Sequence, residues 1–182
     1  AREKNIPVTE LQHGFISRYH LGYSFPCNDS IPYMPDELQC YGQFWPEQPE
    51  LPKNVKTSII APHYLNQMRI NKPQRADKGV LVISQGTIGE QLFAFAYAAA
   101  LKNPNYTFTF HLHPSEHKQT YIRKMKQLPK CSNLILSSQQ ENDIYTLMQQ
   151  NTYALGVYST AMTESMALGC KVILLQIPGH EY

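Results

Sequence analysis

From Gly79 onward, short apolar runs alternate with longer stretches of helical spacing. Val80 to Ser84 is a β-branched run of the kind that fills a parallel strand buried on both faces. A helix is predicted over Ile88 to Leu101, with Ile88, Leu92, Phe95 and Ala99 on one face. Tyr106 to Leu112 reads as the next strand, with Phe108, Phe110 and Leu112 alternating against Thr107, Thr109 and His111. There follow a helix near Glu116 to Gln127, a strand over Asn133 to Leu136 and a helix over Asp143 to Gln150. Tyr153 to Tyr158 is a further strand, Thr160 to Leu168 a helix stopped by Gly169, and Val172 to Gln176 a last strand. Strands and helices in this alternation require crossover connections, so the expected fold is α/β, a doubly wound parallel sheet.

The first part of the chain obeys other rules. Eight of the 13 prolines precede Pro73, and Pro26, Pro32, Pro35, Pro46, Pro49 and Pro52 interrupt any long element. Ile6 to Leu11 and Val55 to Ala61 are strand candidates, and Glu37 to Phe44 is a short strand or turn. Residues 1–78 are therefore expected to be a Pro- and Tyr-rich segment wrapping a domain that spans 79–182.

Composition narrows the function classes. A formal charge of +2, from 16 basic and 14 acidic residues with no run of one sign, offers no patch for nucleic acid. Cys27, Cys40, Cys131 and Cys170 contain no C-x-x-C pair, which argues for neither zinc nor a disulfide framework, and a reducing compartment is expected. The longest apolar run, Phe93 to Leu101, falls far short of the roughly 20 residues of a spanning helix. A cytoplasmic protein is expected, with peripheral attachment at the inner face of a membrane left open. The chain opens on Ala1 and ends at Tyr182 just after a strand-like run, which reads as a fragment cut short at its carboxyl end.

In doubly wound sheets, ligands sit beyond the carboxyl ends of the strands. That rule selects the loops after Ser84, Leu112, Leu136, Tyr158 and Gln176. Ser84, Gly86 and Thr87 lead into a helix whose free N–H groups suit a phosphate, although Thr87 and Glu90 also spell a T-x-x-E capping box. His113 and Pro114 end a strand, where imidazole can donate to a phosphate oxygen or a base carbonyl, or merely settle a tight turn. Ser159 and Thr160 open another helix and can cap it or hold a phosphate. One turn on, Glu164 can accept from ribose hydroxyls or simply favour the helix start. Gln12-His13-Gly14, with Arg18 and His20 behind it, places His13 after a strand as a candidate general base, or as a bridge from the first segment to the sheet.

The H-P-x-E at His113, the S-T-x-x-x-E-x-x-A-L-G from Ser159 to Gly169 and the final Val172-Ile173-Leu174-Leu175-Gln176 resemble the carboxy-terminal, donor-binding half of GT-B glycosyltransferases. Within that superfamily, His113-Pro114 paired with Ser159-Thr160 is similar to bacterial capsule and lipopolysaccharide transferases, CDP-glycerol glycerophosphotransferases and bacterial sialyltransferases. Gln12-His13-Gly14 is similar to the H-G element of the glycerophosphotransferases. The acidic-acidic-Gly motif that supplies the sialyltransferase base is absent, as is any D-x-D. The resemblance implies a metal-independent glycosyltransferase of surface polysaccharide synthesis with no cofactor. Its donor would be a UDP- or CMP/CDP-linked sugar and its acceptor a saccharide or lipid-linked hydroxyl. It further implies an amino-terminal acceptor domain missing from this chain, and leaves open whether the fragment alone is active. A sugar-nucleotide 2-epimerase and a catalytically silent nucleotide-sugar-binding module are the alternatives.

Overall fold

The computed structural model describes residues 2–25, 29–70 and 74–177. Two compact units divide between Asn66 and Gln67. The first holds β1 (Thr9–Leu11), β2 (Glu37–Cys40) and β3 (Lys56–Ile59), paired in that order and all parallel. Each strand is shorter than the stretch expected for it, because prolines and turns flank all three. Ile16, Tyr23, Leu38, Cys40 and Trp45 make a core of this unit's own. Much of that core comes from connections, which is why strand periodicity alone does not reveal it.

A helix that the sequence reading lacks, α1 (His63–Ile70), follows Pro62. Only Leu65 on it is buried and Ile70 is 80% exposed, so it carries almost no amphipathic signal.

The second unit is built from β4 (Ala76–Ile83), α2 (Gly89–Lys102), β5 (Thr107–His111), α3 (Lys118–Gln127), β6 (Leu134–Ser137), α4 (Ile144–Gln150), β7 (Asn151–Gly156), α5 (Thr160–Ala167) and β8 (Lys171–Leu174). The strands pair in the order β6-β5-β4-β7-β8, every pair parallel. This is a doubly wound, Rossmann-like α/β sheet. Val80 and Val82 project into one core with Leu92, Phe93, Ala96, Phe110 and Tyr121, beneath α2 and α3. Leu81 and Ile83 alternate to the other face, and α4 packs on β4 and β7 while α5 packs on β7 and β8.

Two expectations are corrected here. The buried face of α2 is Leu92, Phe93, Ala96 and Ala100, while Phe95 is 42% exposed. Aromatics at 93, 95 and 97 leave this helix apolar nearly all round, so its pattern does not fix which side turns inward. And α3 starts at Lys118 instead of Glu116, because the Glu116 carboxylate folds back to accept from the His113 N–H at 2.7 Å, holding 113–116 as a turn.

Far from the ligand edge, Arg75 Nη1 donates to Asn151 O at 2.8 Å and Nη2 donates to Leu168 O. This tie joins the start of β7 to the end of α5. At the φ of +92° where α5 ends, Gly169 takes a left-handed conformation that other residues rarely adopt.

Candidate functional site

Strand order reverses between β4 and β7, so the switch-point crevice of the second unit lies at their carboxyl ends. Two loops border it, Ser84 to Ile88 and Val157 to Ser159. Gln85 spans them: its Nε2 donates to Tyr158 O, and among the described residues its buried Oε1 has no hydrogen-bond partner. A buried amide oxygen left unmatched costs free energy.

On the β4 side Gly86 and Thr87 are exposed in the turn before α2. The Ile88 N–H closes this turn on Gln85 O at 2.9 Å, making Ile88 the N-cap. Glu90 is then the second helical residue instead of the third, one position too early to reach back to a cap. The T-x-x-E box therefore does not form, the N-cap residue Ile88 supplies no side-chain cap bond, and Glu90 pairs with Lys124 Nζ at 2.7 Å.

A different anion occupies the start of α2. A Cβ placed on Gly89 would meet Glu116 Oε1 at 1.8 Å and the Tyr121 hydroxyl at 2.7 Å, so the Glu116 carboxylate sits against the first residue of the helix. Oε1 accepts from the Tyr121 hydroxyl and Oε2 from the His113 N–H. Burial, reinforced by Glu116, pushes the Tyr121 pKa up and keeps that proton in place. Ser84, 3% exposed, faces Tyr121 from beneath the loop, and its Oγ makes no hydrogen bond of good geometry. Of the expected phosphate contacts on this side, Ser84 is thus turned into the α2–α3 interior, and only Gly86 and Thr87 lie open.

His113 is exposed beyond the end of β5, and Pro114 is exposed in the turn after it. The Ser115 N–H donates to His113 Nδ1 at 3.2 Å, and Ser115 Oγ lies 2.8 Å from the same nitrogen. A backbone N–H can only donate, so Nδ1 accepts and the neutral ring carries its proton on Nε2. Gly86 is pressed against this pair: a Cβ there would meet Ser115 Oγ at 2.5 Å and His113 Nδ1 at 3.4 Å. The structure therefore brings Gly86, His113 and Ser115 together.

On the β7 side Ser159 is the N-cap of α5, its Oγ accepting from the Ala161 N–H at 3.1 Å. That bond uses a lone pair and leaves the hydroxyl proton for another acceptor. Thr160, half-buried, is the first helical residue. Glu164 points elsewhere, accepting from the Tyr145 hydroxyl of α4 at 3.2 Å.

The neighbouring His111 is 4% exposed, with Nδ1 3.4 Å from Ser137 Oγ, which in turn accepts from Asn142 Nδ2 at 3.0 Å. Burial pushes its pKa down, against the opposing pull of Gln139. His113 faces solvent where His111 does not because the strand ends between them: alternation would put both on one face, but only His111 still lies within the sheet.

His13 belongs to the first unit. Gln12 Oε1 accepts from the Tyr41 N–H and its Nε2 donates to Gly14 O, both at 2.9 Å, which clamps the backbone around His13. His13 Nδ1 lies 3.1 Å from the Tyr23 hydroxyl, which donates to Glu10 Oε1.

The sequence reading gave no role to Gln85, Ser115, Glu116 and Tyr121 in the second unit or to Glu10, Gln12 and Tyr23 in the first, although Gln12 and Glu116 stand in the motifs it names. For Glu116 a signal exists: H-P-S-E spaces a carboxylate three residues after a free N–H, as a capping box does. Tyr121 and Tyr23 meet their partners only through tertiary packing.

Among the described residues no group of three or more His, Cys, Asp or Glu is placed to hold a metal ion, and no helix is long and apolar enough to cross a membrane. No protein-family model and no curated protein matches the chain.

Proposed function

We propose that this chain binds a nucleotide-activated sugar at the crevice between β4 and β7 and serves a metal-independent GT-B-type glycosyltransferase of bacterial surface polysaccharide synthesis. The observation that carries this reading is Gln85 Oε1 at the switch point, unpartnered among the described residues, beside the Ser159–Thr160 start of α5. In this reading the donor's phosphate takes the α5 start, where Ser159 keeps a hydroxyl proton and the helix dipole favours negative charge. His113 donates from Nε2 to a phosphate or base oxygen, and Gly86 and Thr87 let the ligand approach the β4 loop. Departure of the nucleotide is helped by these donors in place of a cation. The acceptor is a saccharide or lipid-linked hydroxyl, His13 is the base, and the protein works in the cytoplasm, peripherally at the inner membrane face. An epimerase needs free carboxylates; here Glu116 and Glu164 both accept from tyrosine hydroxyls.

Calorimetric titration with CMP, CDP, UDP and GDP tests the donor site. Selective binding of a cytidine or uridine nucleotide, weakened about tenfold in His113→Ala and in Ser159→Ala, is the expected result, since each removes one hydrogen bond to a charged group. Binding of none of the four by a natively folded chain overturns the reading. Binding that both variants leave unchanged moves the ligand away from these residues.

A further inference from the structure

The Tyr23 hydroxyl joins two groups that flank it in the first unit. It donates to Glu10 Oε1, and the same oxygen lies 3.1 Å from His13 Nδ1. A carboxylate only accepts and a phenol has a single proton. With that proton committed to Glu10, the contact between the Tyr23 oxygen and Nδ1 is a hydrogen bond only if Nδ1 carries the hydrogen. Glu10 Oε1 is itself 3.6 Å from Nδ1, so its negative charge favours an N–H at that position. Tyr23 cannot easily rotate away, being 3% exposed within the core of Ile16, Leu38, Cys40 and Trp45. Burial first, and Glu10 second, push its pKa up and keep it protonated. The His13 side chain is 71% exposed, with the backbone on either side clamped by Gln12.

We propose that Glu10 and Tyr23 are positioning residues that fix neutral His13 in its Nδ1–H tautomer and present Nε2 as the proton acceptor for an attacking hydroxyl. This rests on the transferase reading, in which His13 is the base. As the acceptor oxygen bonds the donor's anomeric carbon, the bond from that carbon to the phosphate oxygen breaks and its electron pair leaves with the nucleotide. The hydroxyl proton passes to Nε2. The imidazolium so formed keeps its Nδ1–H on Tyr23, with the Glu10 carboxylate beside it. The two histidines thus carry opposite tautomers, His113 donating from Nε2 and His13 accepting there.

Long-range proton–nitrogen correlation on uniformly nitrogen-15-labelled protein reads histidine tautomers directly, with His13 assigned by the signal lost in His13→Gln. Wild-type His13 in its neutral form is expected to be mainly Nδ1–H. Tyr23→Phe keeps the ring and its packing but removes the acceptor, and should move the tautomer ratio roughly fivefold towards Nε2–H, as loss of one ordinary hydrogen bond does. Glu10→Ala removes the acceptor of the Tyr23 proton, on a side chain outside the core, and should move the ratio the same way, by freeing that proton to turn towards Nδ1. A wild-type His13 that is mainly Nε2–H, or a ratio unchanged in both variants, overturns the proposal. No donor is needed for this readout. Failure of nucleotide binding with the tautomer intact removes the transferase reading alone, while binding with an unmoved tautomer removes only the positioning role.

Discussion

Replacing Glu116 by Ala should destabilise the second unit by about 2–4 kcal/mol, the sum of a stranded buried hydroxyl, a lost loop hydrogen bond and a lost helix-start charge. The largest part comes from Tyr121, which is 3% exposed and whose hydroxyl loses its carboxylate acceptor. A buried donor stranded in this way costs about 1–3 kcal/mol. The His113 N–H loses its 2.7 Å partner as well, but on an exposed loop water replaces most of that bond. Removing negative charge from the start of α2 adds about 0.3–1 kcal/mol. Tyr121→Phe removes the donor together with its need for a partner, so the double variant should cost less than the two singles summed, by about 1–2 kcal/mol of coupling. Urea unfolding followed by far-ultraviolet circular dichroism measures all four corners of the cycle. Fluorescence does not suit, since the single tryptophan, Trp45, lies in the core of the other unit. Additivity within about 0.5 kcal/mol, or a Glu116→Ala variant as stable as the parent, would refute the assignment of Glu116 as the internal anion of α2.

Two further predictions concern the same unit. Burial lowers the His111 pKa below its ordinary 6.5, so above that value both folded and unfolded chains hold the ring neutral and it contributes nothing. As pH falls through that value the unfolded chain takes the proton first, and native stability should drop by at most about 1.4 kcal/mol per pH unit until the folded pKa is reached; unfolding curves across that window should lose this slope in His111→Gln, and an unchanged slope counts against the burial argument. Asp143 Oδ2 accepts from the Thr146 N–H at 3.0 Å as the N-cap of α4, so Asp143→Ala should cost about 1 kcal/mol by urea unfolding while Asp143→Ser costs only a few tenths.

Much of the second unit was legible because its central strand β4 buries both faces over Val80–Ile83, with mostly apolar neighbours in β5 and β7. Apolar runs at Val80, Phe108, Leu134 and Ala154 have no other stable home than a parallel sheet, and the intervening lengths suit crossover helices. Strand ends moved by one to four residues, β7 starting at Asn151 and β4 at Ala76, where hydrogen bonding instead of hydrophobicity decides the boundary. The first unit was harder to read because Ile16, Tyr23 and Trp45 sit on irregular connections that carry no period. Candidate site residues were legible by position alone, since the carboxyl-edge rule picks loops and not side-chain directions. It brought forward Gly86, His113 and Ser159, and equally Ser84 and Glu164, whose side chains turn towards Tyr121 and Tyr145.

The same limit applies to the two helix starts, which looked alike in sequence. Both α2 and α5 begin after a strand, near hydroxyl residues, with a carboxylate within a turn. Free backbone N–H groups attract whatever anion lies nearest. At α2 the nearest is Glu116, brought from the following loop by its bonds to Tyr121 and His113, and a phosphate arriving there would have to displace it. At α5 the carboxylate of Glu164 accepts from Tyr145, and the cap is a neutral hydroxyl that accepts from Ala161 and donates to no group among the described residues. A dianionic ligand would therefore gain at α5 what repulsion from Glu116 denies it at α2. Under the proposed function this asymmetry orients the donor, with phosphate towards α5 and the rest of the nucleotide towards Gly86 and His113. Choosing between two equivalent-looking seats thus depends on one glutamate outside both helices.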